Sequence, residues 1–410
     1  MSQSEPRFCP VLKRLREHFQ QQRYSWGVTQ NYPVAIRRFL RDLERRGRGI
    51  ESVSAADVEG YLDTLRYKRR RGPFPNHLRR MHRAAIRMLL RLELGGWPPR
   101  VVLTAAHEIA EQEIVGAYEG WMTEFRGLSS DTRRRGRAET YQLLQWIREH
   151  NKATATLSVT DLDTYVALRS GSMRRTSIAL LVSTLRGVLR HLHRSGKMPV
   201  DLASTLRGPP IYALESIPST ISTQDVERVL KVARHDHSSL GRRDYAILML
   251  LATYGLRASE ITWLRLSDID WRHERLHIRH SKTGAHSDLP LLRAPADAII
   301  EYLRHARPVT RERAVFIRAS APDRALCSSS AVHAVVTRRL AAAGVYPTGK
   351  HGAHLLRHSR AVSLLRGGVS LKVIGDVLGH RSERSTAVYL KLATEDLRLV
   401  ALDLPAEVAP

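Results

Sequence analysis

Apolar residues recur at helical spacing through the first two hundred residues of the chain. In PVAIRRFLRDL (33–43) and in RAETYQLLQWI (137–147), apolar side chains return every three or four positions, as in an amphipathic helix. A second helical pattern follows each of them, SAADVEGYL at 54–62 and SVTDLDTYV at 158–166. The pattern therefore predicts helices rather than strands in this region.

The order of these helices is repeated. Both pairs are related by one offset of 104 residues, and a third amphipathic segment follows in each copy, from Ala84 and from Thr184, with the offset shortened by about five. Predicted helix starts and stops also recur, at Ser54 and Ser158 and at Gly95 and Gly196. We interpret the region as a duplicated helical domain; the alternative is that two amphipathic bundles resemble each other by chance.

The pattern changes after residue 222. The stretch LRGPPIYALESIPSTIS (206–222) contains three prolines and a glycine and interrupts the helical spacing, as an interdomain linker would. Helices are predicted from about Gln224 and Arg242, followed by two short extended stretches, 275–280 and 286–292, around a turn. Helical patterns then continue, which predicts an α-rich domain with a small antiparallel β-sheet.

The charge of the chain indicates the kind of partner that it binds. The 410 residues include 66 Lys and Arg against 40 Asp and Glu, a formal net charge of +26. A compact protein with that much self-repulsion normally binds a polyanion, so nucleic acid is the leading predicted partner. No stretch of 18 apolar residues and no signal-peptide pattern is found, so we expect a cytoplasmic protein that is not associated with a membrane.

The positive charge is concentrated in the first copy, where residues 1–100 carry 22 Lys and Arg against 9 Asp and Glu. The run RYKRRRG (66–72) is a candidate phosphate-contacting loop, although such a run can also be only a solvated face. The candidate DNA contacts are Arg66, Lys68, Arg69, Arg70, Arg71, Arg133, Arg134, Arg135, Arg174 and Arg175.

Cysteine use argues against a disulfide or a thiolate metal site. The two cysteines, Cys9 and Cys327, lie more than three hundred residues apart and form no CxxC motif. We predict neither a metal nor another cofactor.

Candidate chemistry lies in the last two hundred residues. Arg257 follows a glycine at a predicted helix end, with Glu260 one turn away to orient it, and Lys282 lies in the predicted hairpin turn. His354 and Arg357 have i, i+3 spacing and share a helix face. Each signal alone is weak, because this chain is rich in Arg, Lys and His.

Further along, LGHRSERSTAVYLKL (378–392) places His380 nine residues before Tyr389, with a helix predicted over 385–392. Tyr389 alone would be an ordinary core or surface aromatic. The order Arg, hairpin Lys, HxxR, Gly-His and Tyr resembles the tyrosine recombinase or phage integrase family, which includes the Xer-type recombinases. The resemblance is close over 218–402 and looser before it.

The resemblance implies a role for each matching residue. Arg257 and Arg357 would clamp the scissile phosphate, His380 would hydrogen-bond it, and Glu260 would support the arginine before it. Arginine suits this task because its planar fork grips two oxygens and stays charged.

The remaining matches concern bond making and proton transfer. Tyr389 would be the nucleophile, Lys282 would protonate the leaving 5′ oxygen, and His354 would assist proton transfer. A phenol has an ordinary pKa near 10, so its attack needs a base or a strongly positive site. The residue after Arg357, His358, is interpreted as a packing or phosphate-side residue with no chemical role.

The resemblance also implies an architecture. It is a mainly α protein with tandem helical, SAM-like DNA-binding domains before an α-rich catalytic domain, forming a C-shaped clamp. The predicted segments are an N-terminal helical DNA-binding domain (1–110), a helical core-binding domain (111–208), a linker (209–217), and a catalytic domain with a C-terminal docking tail (218–410).

The implied activity is site-specific recombination for integration or excision of a mobile element, through a 3′-phosphotyrosyl intermediate and a Holliday junction. The implied partner is double-stranded DNA that carries recombination sites, which would place the protein at a bacterial nucleoid. The implied assembly is a homotetramer on this DNA, linked by exchange of C-terminal tails, with accessory or sister recombinase proteins as further candidate partners. Two alternatives stay open, a type IB topoisomerase with the same chemistry and a non-catalytic architectural DNA-binding protein on the same fold.

Overall fold

The computed structural model describes residues 9–65, 77–97, 105–212, 218–280, 284–349, 351–379 and 384–390. The chain divides into two compact units. One is formed by Met1–Pro99 together with Ser216–Pro410, and the other by Arg100–Glu215. Among the residues described, no helix is long and apolar enough to cross a membrane.

The first helical region has its own apolar core. Its helices are α1 (Cys9–Gln21), α2 (Trp26–Arg45), α3 (Ala55–Thr64) and α4 (His77–Leu94). The buried faces of α2 and α4 pack together through side chains such as Ile36, Phe39 and Leu89. Ser54 caps α3 by accepting a hydrogen bond from the Asp57 backbone N–H, and the Asp57 carboxylate accepts one from the Ser54 N–H in return. The predicted N-cap is therefore present, as a capping box.

A second, separate core is built from the next set of helices. They are α5 (Ala106–Glu124), α6 (Ser130–Glu149), α7 (Val159–Ser170) and α8 (Arg175–Arg194). Ser158 and Asp161 cap α7 with the same reciprocal pair of hydrogen bonds. The predicted boundary at residue 110 falls inside α5. Apolar side chains of α5 such as Ile114 and Tyr118 belong to this second core, so the helix is part of the second region.

The helix bounds of the two regions repeat. α2 and α6 start and end 104 residues apart, and α3 and α7 start 104 residues apart. α8 follows α4 by 98 residues at its start and by 100 at its end, which agrees with the shortened offset in the sequence. Glycines at positive φ follow α4 and α8, Gly95 at +67° and Gly196 at +72°.

The C-terminal region surrounds a third core. Its helices are α9 (Thr223–Arg234), α10 (Ser239–Tyr254), α11 (Ala258–Trp263), α12 (Arg293–His305), α13 (Ser329–Ala342), α14 (Ala353–Arg366), α15 (Leu371–Leu378) and α16 (Arg384–Ala387). Helix α10 is its centre, because α9, α12 and α14 all pack against it and most of its residues are buried. α10 begins three residues earlier than predicted, where Ser238 accepts a hydrogen bond from the Gly241 backbone N–H.

The small sheet is antiparallel, in the order β1 (Ile269–Asp270), β2 (Arg275–Arg279) and β3 (His286–Pro290). β2 and β3 form the predicted hairpin, with Leu276 opposite Leu289. His280 closes it at the end that leads into the turn, since its backbone N–H donates to the Ala285 carbonyl at 2.8 Å. Leu276 and Ile278 point into the core, which fixes the register.

Candidate active site

Arg257 is held by the carboxylate of Glu260. Gly255 ends α10 in the left-handed conformation, φ +64°, and Arg257 is the N-cap of α11. One oxygen of Glu260 accepts the Arg257 backbone N–H at 2.8 Å, and the other accepts from the guanidinium Nη1 at 2.7 Å. The contact predicted from the i, i+3 spacing is therefore present, and it fixes both ends of the arginine.

Glu260 is 2% exposed and shares its carboxylate with a residue that the sequence did not single out. The Nδ1 atom of His280 lies 2.8 Å from Glu260 Oε1. Burial alone raises the pKa of the Glu260 carboxyl, but hydrogen bonds from the Arg257 backbone, the His280 ring and the Arg257 guanidinium outweigh burial and lower that pKa below its ordinary value. Glu260 is therefore a buried carboxylate that stays charged.

The turn after α15 connects to the same group. Gly379 has φ +61°, and its carbonyl accepts a hydrogen bond from Arg257 Nη2 at 3.0 Å. A Cβ atom at Gly379 would lie 2.4 Å from Cε1 of His280, so only glycine fits beside the ring.

Arg357 lies on α14 and is 4% exposed. Its Nη1 donates to the Gly255 carbonyl at 2.7 Å and its Nη2 to the Leu378 carbonyl at 2.6 Å. Burial, and after it the charge of Arg257, lower the pKa of Arg357 to about 10, so the guanidinium is still charged at neutral pH. The two arginines thus reach adjacent carbonyls of one turn, those of Leu378 and Gly379.

Tyr389 is buried against α14 and α15, with an exposed fraction of 1%. It packs with Val362, Ile374 and Leu378, and its backbone N–H donates to the Thr386 carbonyl at 3.0 Å. Burial raises the pKa of the phenol, and the charges of Arg357 and Arg257 act in the opposite direction. Within the helix predicted over 385–392, α16 ends at Ala387, Val388 and Tyr389 form a turn, and Leu390 is helical again, while residues 391 and 392 lie outside the described residues.

The phenol oxygen of Tyr389 lies 2.9 Å from Nδ1 of His358. Burial is the main reason that the pKa of His358 falls to about 4, and the nearby His354 and Arg357 add to it. A neutral imidazole nitrogen can accept the tyrosyl hydrogen. His358, interpreted from the sequence as a packing or phosphate-side residue, thus has its ring in contact with the hydroxyl of the candidate nucleophile.

His354 lies one turn before His358 on α14 and is exposed, while Arg357 is buried. The ring centroids of His354 and His358 are 6.1 Å apart. The pair therefore extends from the buried tyrosine towards solvent along one side of the helix.

Several predicted site residues lie outside the part of the chain that the structure describes. These are Lys282, His380, Arg66, Lys68, Arg69, Arg70 and Arg71. The other candidate DNA contacts lie at helix starts of the second region. Arg133, Arg134 and Arg135 are in the first turns of α6, where Arg134 pairs with Asp131 at 2.8 Å. Arg174 caps α8 and Arg175 begins it, both exposed.

Comparison with known proteins gives matches to one family. The model of the phage integrase family matches residues 219–396. "Putative integrase/recombinase y4gC" of Sinorhizobium fredii is 52% identical over 189 residues, which cover 46% of this chain and 97% of that protein. Tyrosine recombinase XerD of Proteus mirabilis is 28% identical over 283 residues, 68% of this chain and 88% of that protein.

A solved structure shares the fold. XerH site-specific recombinase, in a post-cleavage complex with palindromic difH substrate, matches with a TM-score of 0.55 and 15% identity over 74% of this chain and 98% of that one. The mainly α architecture with a small antiparallel sheet is thus confirmed. The chain belongs to the phage integrase family and is a tyrosine recombinase.

Proposed function

We propose that this recombinase integrates or excises a mobile element by cutting and rejoining DNA strands at specific sites. Tyr389 attacks a phosphodiester, a 3′-phosphotyrosyl bond forms, a 5′ hydroxyl is released, and strand exchange proceeds through a Holliday junction. The names of the relatives, integrase/recombinase and tyrosine recombinase, favour this reaction over a topoisomerase or an architectural protein.

One observation carries the proposal. Tyr389 is a buried tyrosine whose hydroxyl is held by His358 and lies in the field of Arg357 and Arg257. An aromatic that served only the core would need no such surroundings. Positive charges fixed beside a phenol favour its ionised form, which is the nucleophile.

The arginines suit a phosphate clamp because backbone carbonyls fix their positions. Arg357 donates one N–H to the Gly255 carbonyl and another to the Leu378 carbonyl. A guanidinium has five N–H donors, so others can bind a phosphate. Negative charge grows on the phosphate oxygens as the five-coordinate arrangement forms, so donors fixed beforehand stabilise the transition state. We propose that Arg257 and Arg357 hold the two non-bridging oxygens.

The proton on Tyr389 sets the timing of attack. Burial lowers the pKa of His358 to about 4 and raises the pKa of the Tyr389 phenol above its ordinary value, so transfer of the proton to His358 is unfavourable in the resting site. His358 therefore holds and orients a neutral hydroxyl in the resting site. As the oxygen–phosphorus bond forms, the phenol becomes far more acidic, and a weak base in contact can then accept the proton.

The remaining roles follow the resemblance to the family. Lys282 gives a proton to the leaving 5′ oxygen, His380 donates a hydrogen bond to the phosphate, and His354 passes the tyrosyl proton towards solvent. The phosphotyrosyl bond is similar in energy to the bond that was broken, so the 5′ hydroxyl of a second strand can reverse the step. Neither a metal nor a nucleotide enters this scheme.

We further propose that the helical regions and the C-terminal region contact one duplex, mainly through phosphates, and that four copies assemble on paired sites by exchange of their C-terminal tails. The protein would then act at the nucleoid. Arg133, Arg134, Arg135, Arg174 and Arg175 are the proposed contacts of the second region. The first region, with the same helix order, is proposed as a second DNA-binding copy.

The test is covalent capture. Wild-type protein is incubated with a library of random-sequence duplexes that carry a nick, so that the short cleaved fragment diffuses away and the adduct persists. An adduct in the wild type that is absent in Tyr389→Phe supports the proposal. Binding without an adduct in the wild type would sink it.

A further inference from the structure

His280 is a buried histidine to which the family resemblance assigns no role. Its side chain is 3% exposed. Nδ1 lies 2.8 Å from Glu260 Oε1, and Nε2 lies 2.7 Å from the hydroxyl of Ser287. Both ring nitrogens are therefore used, which is the arrangement expected of a ring whose orientation is fixed.

The hydrogen bonds define what each ring nitrogen does. A carboxylate only accepts, so Nδ1 carries a hydrogen and donates it to Glu260. In the neutral ring Nε2 accepts, and the Ser287 hydroxyl donates to it. Ser287 lies on β3, opposite Ile278 of β2, so the ring is held from its own hairpin.

His280 joins three parts of the site. It lies at the end of the β2–β3 hairpin, its ring bonds the carboxylate that fixes Arg257, and the same ring packs on Gly379. The Gly379 carbonyl in turn accepts from Arg257. Glu260, His280, Gly379 and Arg257 thus form a closed set of contacts, and a shift of the ring would move both anchors of the guanidinium.

We propose that His280 is a positioning residue for strand cleavage, acting through Glu260 and Gly379 to fix the guanidinium of Arg257 at the scissile phosphate. This inference rests on the proposed function. In the sequence, His280 lies two residues before Lys282, to which the family resemblance gives a separate role in cleavage.

Two variants separate the hydrogen bond from the ring. His280→Phe keeps an aromatic ring, somewhat larger than imidazole, and loses both nitrogens. His280→Asn loses the ring and keeps an N–H donor near the position of Nδ1. A displacement of about 1 Å at a reacting group can lower a rate about 100-fold. We expect His280→Phe to cleave about 10 to 100 times more slowly than wild type, and His280→Asn to recover most of the loss.

The measurement is single-turnover adduct formation at saturating protein, on nicked duplexes selected with the wild-type chain. Duplex affinity and thermal unfolding are measured in parallel. His277→Phe and His277→Asn are the matched controls, since His277 pairs with Asp288 on the same hairpin and is half-exposed. We expect the controls to cleave like wild type, and the His280 variants to lose rate at unchanged affinity.

A double variant tests the route. Because His280 acts in part through Glu260, His280→Phe should lower the rate by a smaller factor when Glu260→Gln is already present than it does alone. Full multiplication of the two losses, a loss confined to affinity, or wild-type rates in both His280 variants would overturn the inference. Absence of an adduct with wild-type protein would instead count against the proposed function itself.

Discussion

His358 Nδ1 and the hydroxyl oxygen of Tyr389 are 2.9 Å apart, in a site where the tyrosine is 1% exposed. We expect His358→Phe, which removes the acceptor and keeps a ring, to lower the single-turnover cleavage rate about 10 to 100-fold because the hydroxyl loses its orientation. Adduct formation on the nicked duplex measures this. His305→Phe, at an exposed position on α12, is the control. A rate within twofold of wild type would show that the contact is only structural.

The depressed pKa of His358 predicts a pH dependence of stability. A histidine with an ordinary pKa near 6.5 that falls to about 4 on folding binds its proton more readily in the unfolded chain, so folding stability decreases as the pH falls from 6.5 to 4. Over the whole range, this group lowers the free energy of unfolding by about 3 kcal/mol. Among the described residues, the charged and titratable groups around the ring are Arg357, His354 and Tyr389.

The measurement compares wild type with His358→Asn in urea at steps from pH 7 to pH 4, read by hydrogen exchange of peptides from α14. Other groups titrate in both proteins and cancel in the difference. Across this range, the free energy of unfolding of the wild type should fall by about 3 kcal/mol more than that of the variant. Parallel curves would mean that His358 titrates near its ordinary pKa in the folded protein.

Gly379 is predicted to be irreplaceable for two separate reasons. Alanine at φ +61° costs about 1 to 2 kcal/mol, and its Cβ would also overlap the His280 ring, which is held at both nitrogens and cannot turn away. Gly344→Ala is the matched control, because Gly344 has φ +67° and no atom within 4 Å of the added Cβ. We expect Gly379→Ala to lower the free energy of unfolding by about 1 to 3 kcal/mol more than the control does.

The same pair of variants also separates stability from activity. Gly379→Ala should slow cleavage because the carbonyl that anchors Arg257 moves, whereas Gly344→Ala should cleave at the wild-type rate. Equal losses of stability in the two variants would mean that the His280 ring yields to the added methyl group.

Local sequence signals found the parts of this site that depend on local structure. Ser54 with Asp57, Ser158 with Asp161 and Arg257 with Glu260 are each three residues apart, so helix geometry alone brings them together. His280 and Glu260 are 20 residues apart, and His358 and Tyr389 are 31 apart. Those contacts depend on how the hairpin and α16 pack on the core, which no short spacing records.

The family resemblance predicted chemical roles that residue spacing alone could not, but it assigned no role to His280 or His358. One signal was present in the sequence, since His358 lies i, i+4 from His354 and so shares its side of the helix. For His280, the sequence shows only a polar residue at the end of a strand. Its burial follows from Gly379, whose missing side chain makes room for the ring.

The first helical region offers a test of its proposed contact with DNA. Arg80, Arg87 and Arg91 lie on the exposed side of α4, at spacings of seven and four residues, and so form one basic face. If they contact phosphates, changing all three to Gln should weaken binding at low salt. It should also reduce the slope of log affinity against log salt by about three, because fewer counterions are released. Cleavage at saturating protein should stay within a few-fold of wild type, since the reacting groups lie elsewhere.

The control removes the same total charge from the same region. Arg14, Arg79 and Arg83 pair with carboxylates, Arg14 with Glu93 and the other two with Glu59. Their replacement by Gln should leave the salt slope nearly unchanged if contacts at the α4 face, and not net charge, determine it. An equally reduced slope in the two triple variants would mean that the first region contributes only its net charge. A slope unchanged from wild type in both variants would mean that the first region does not contact the DNA.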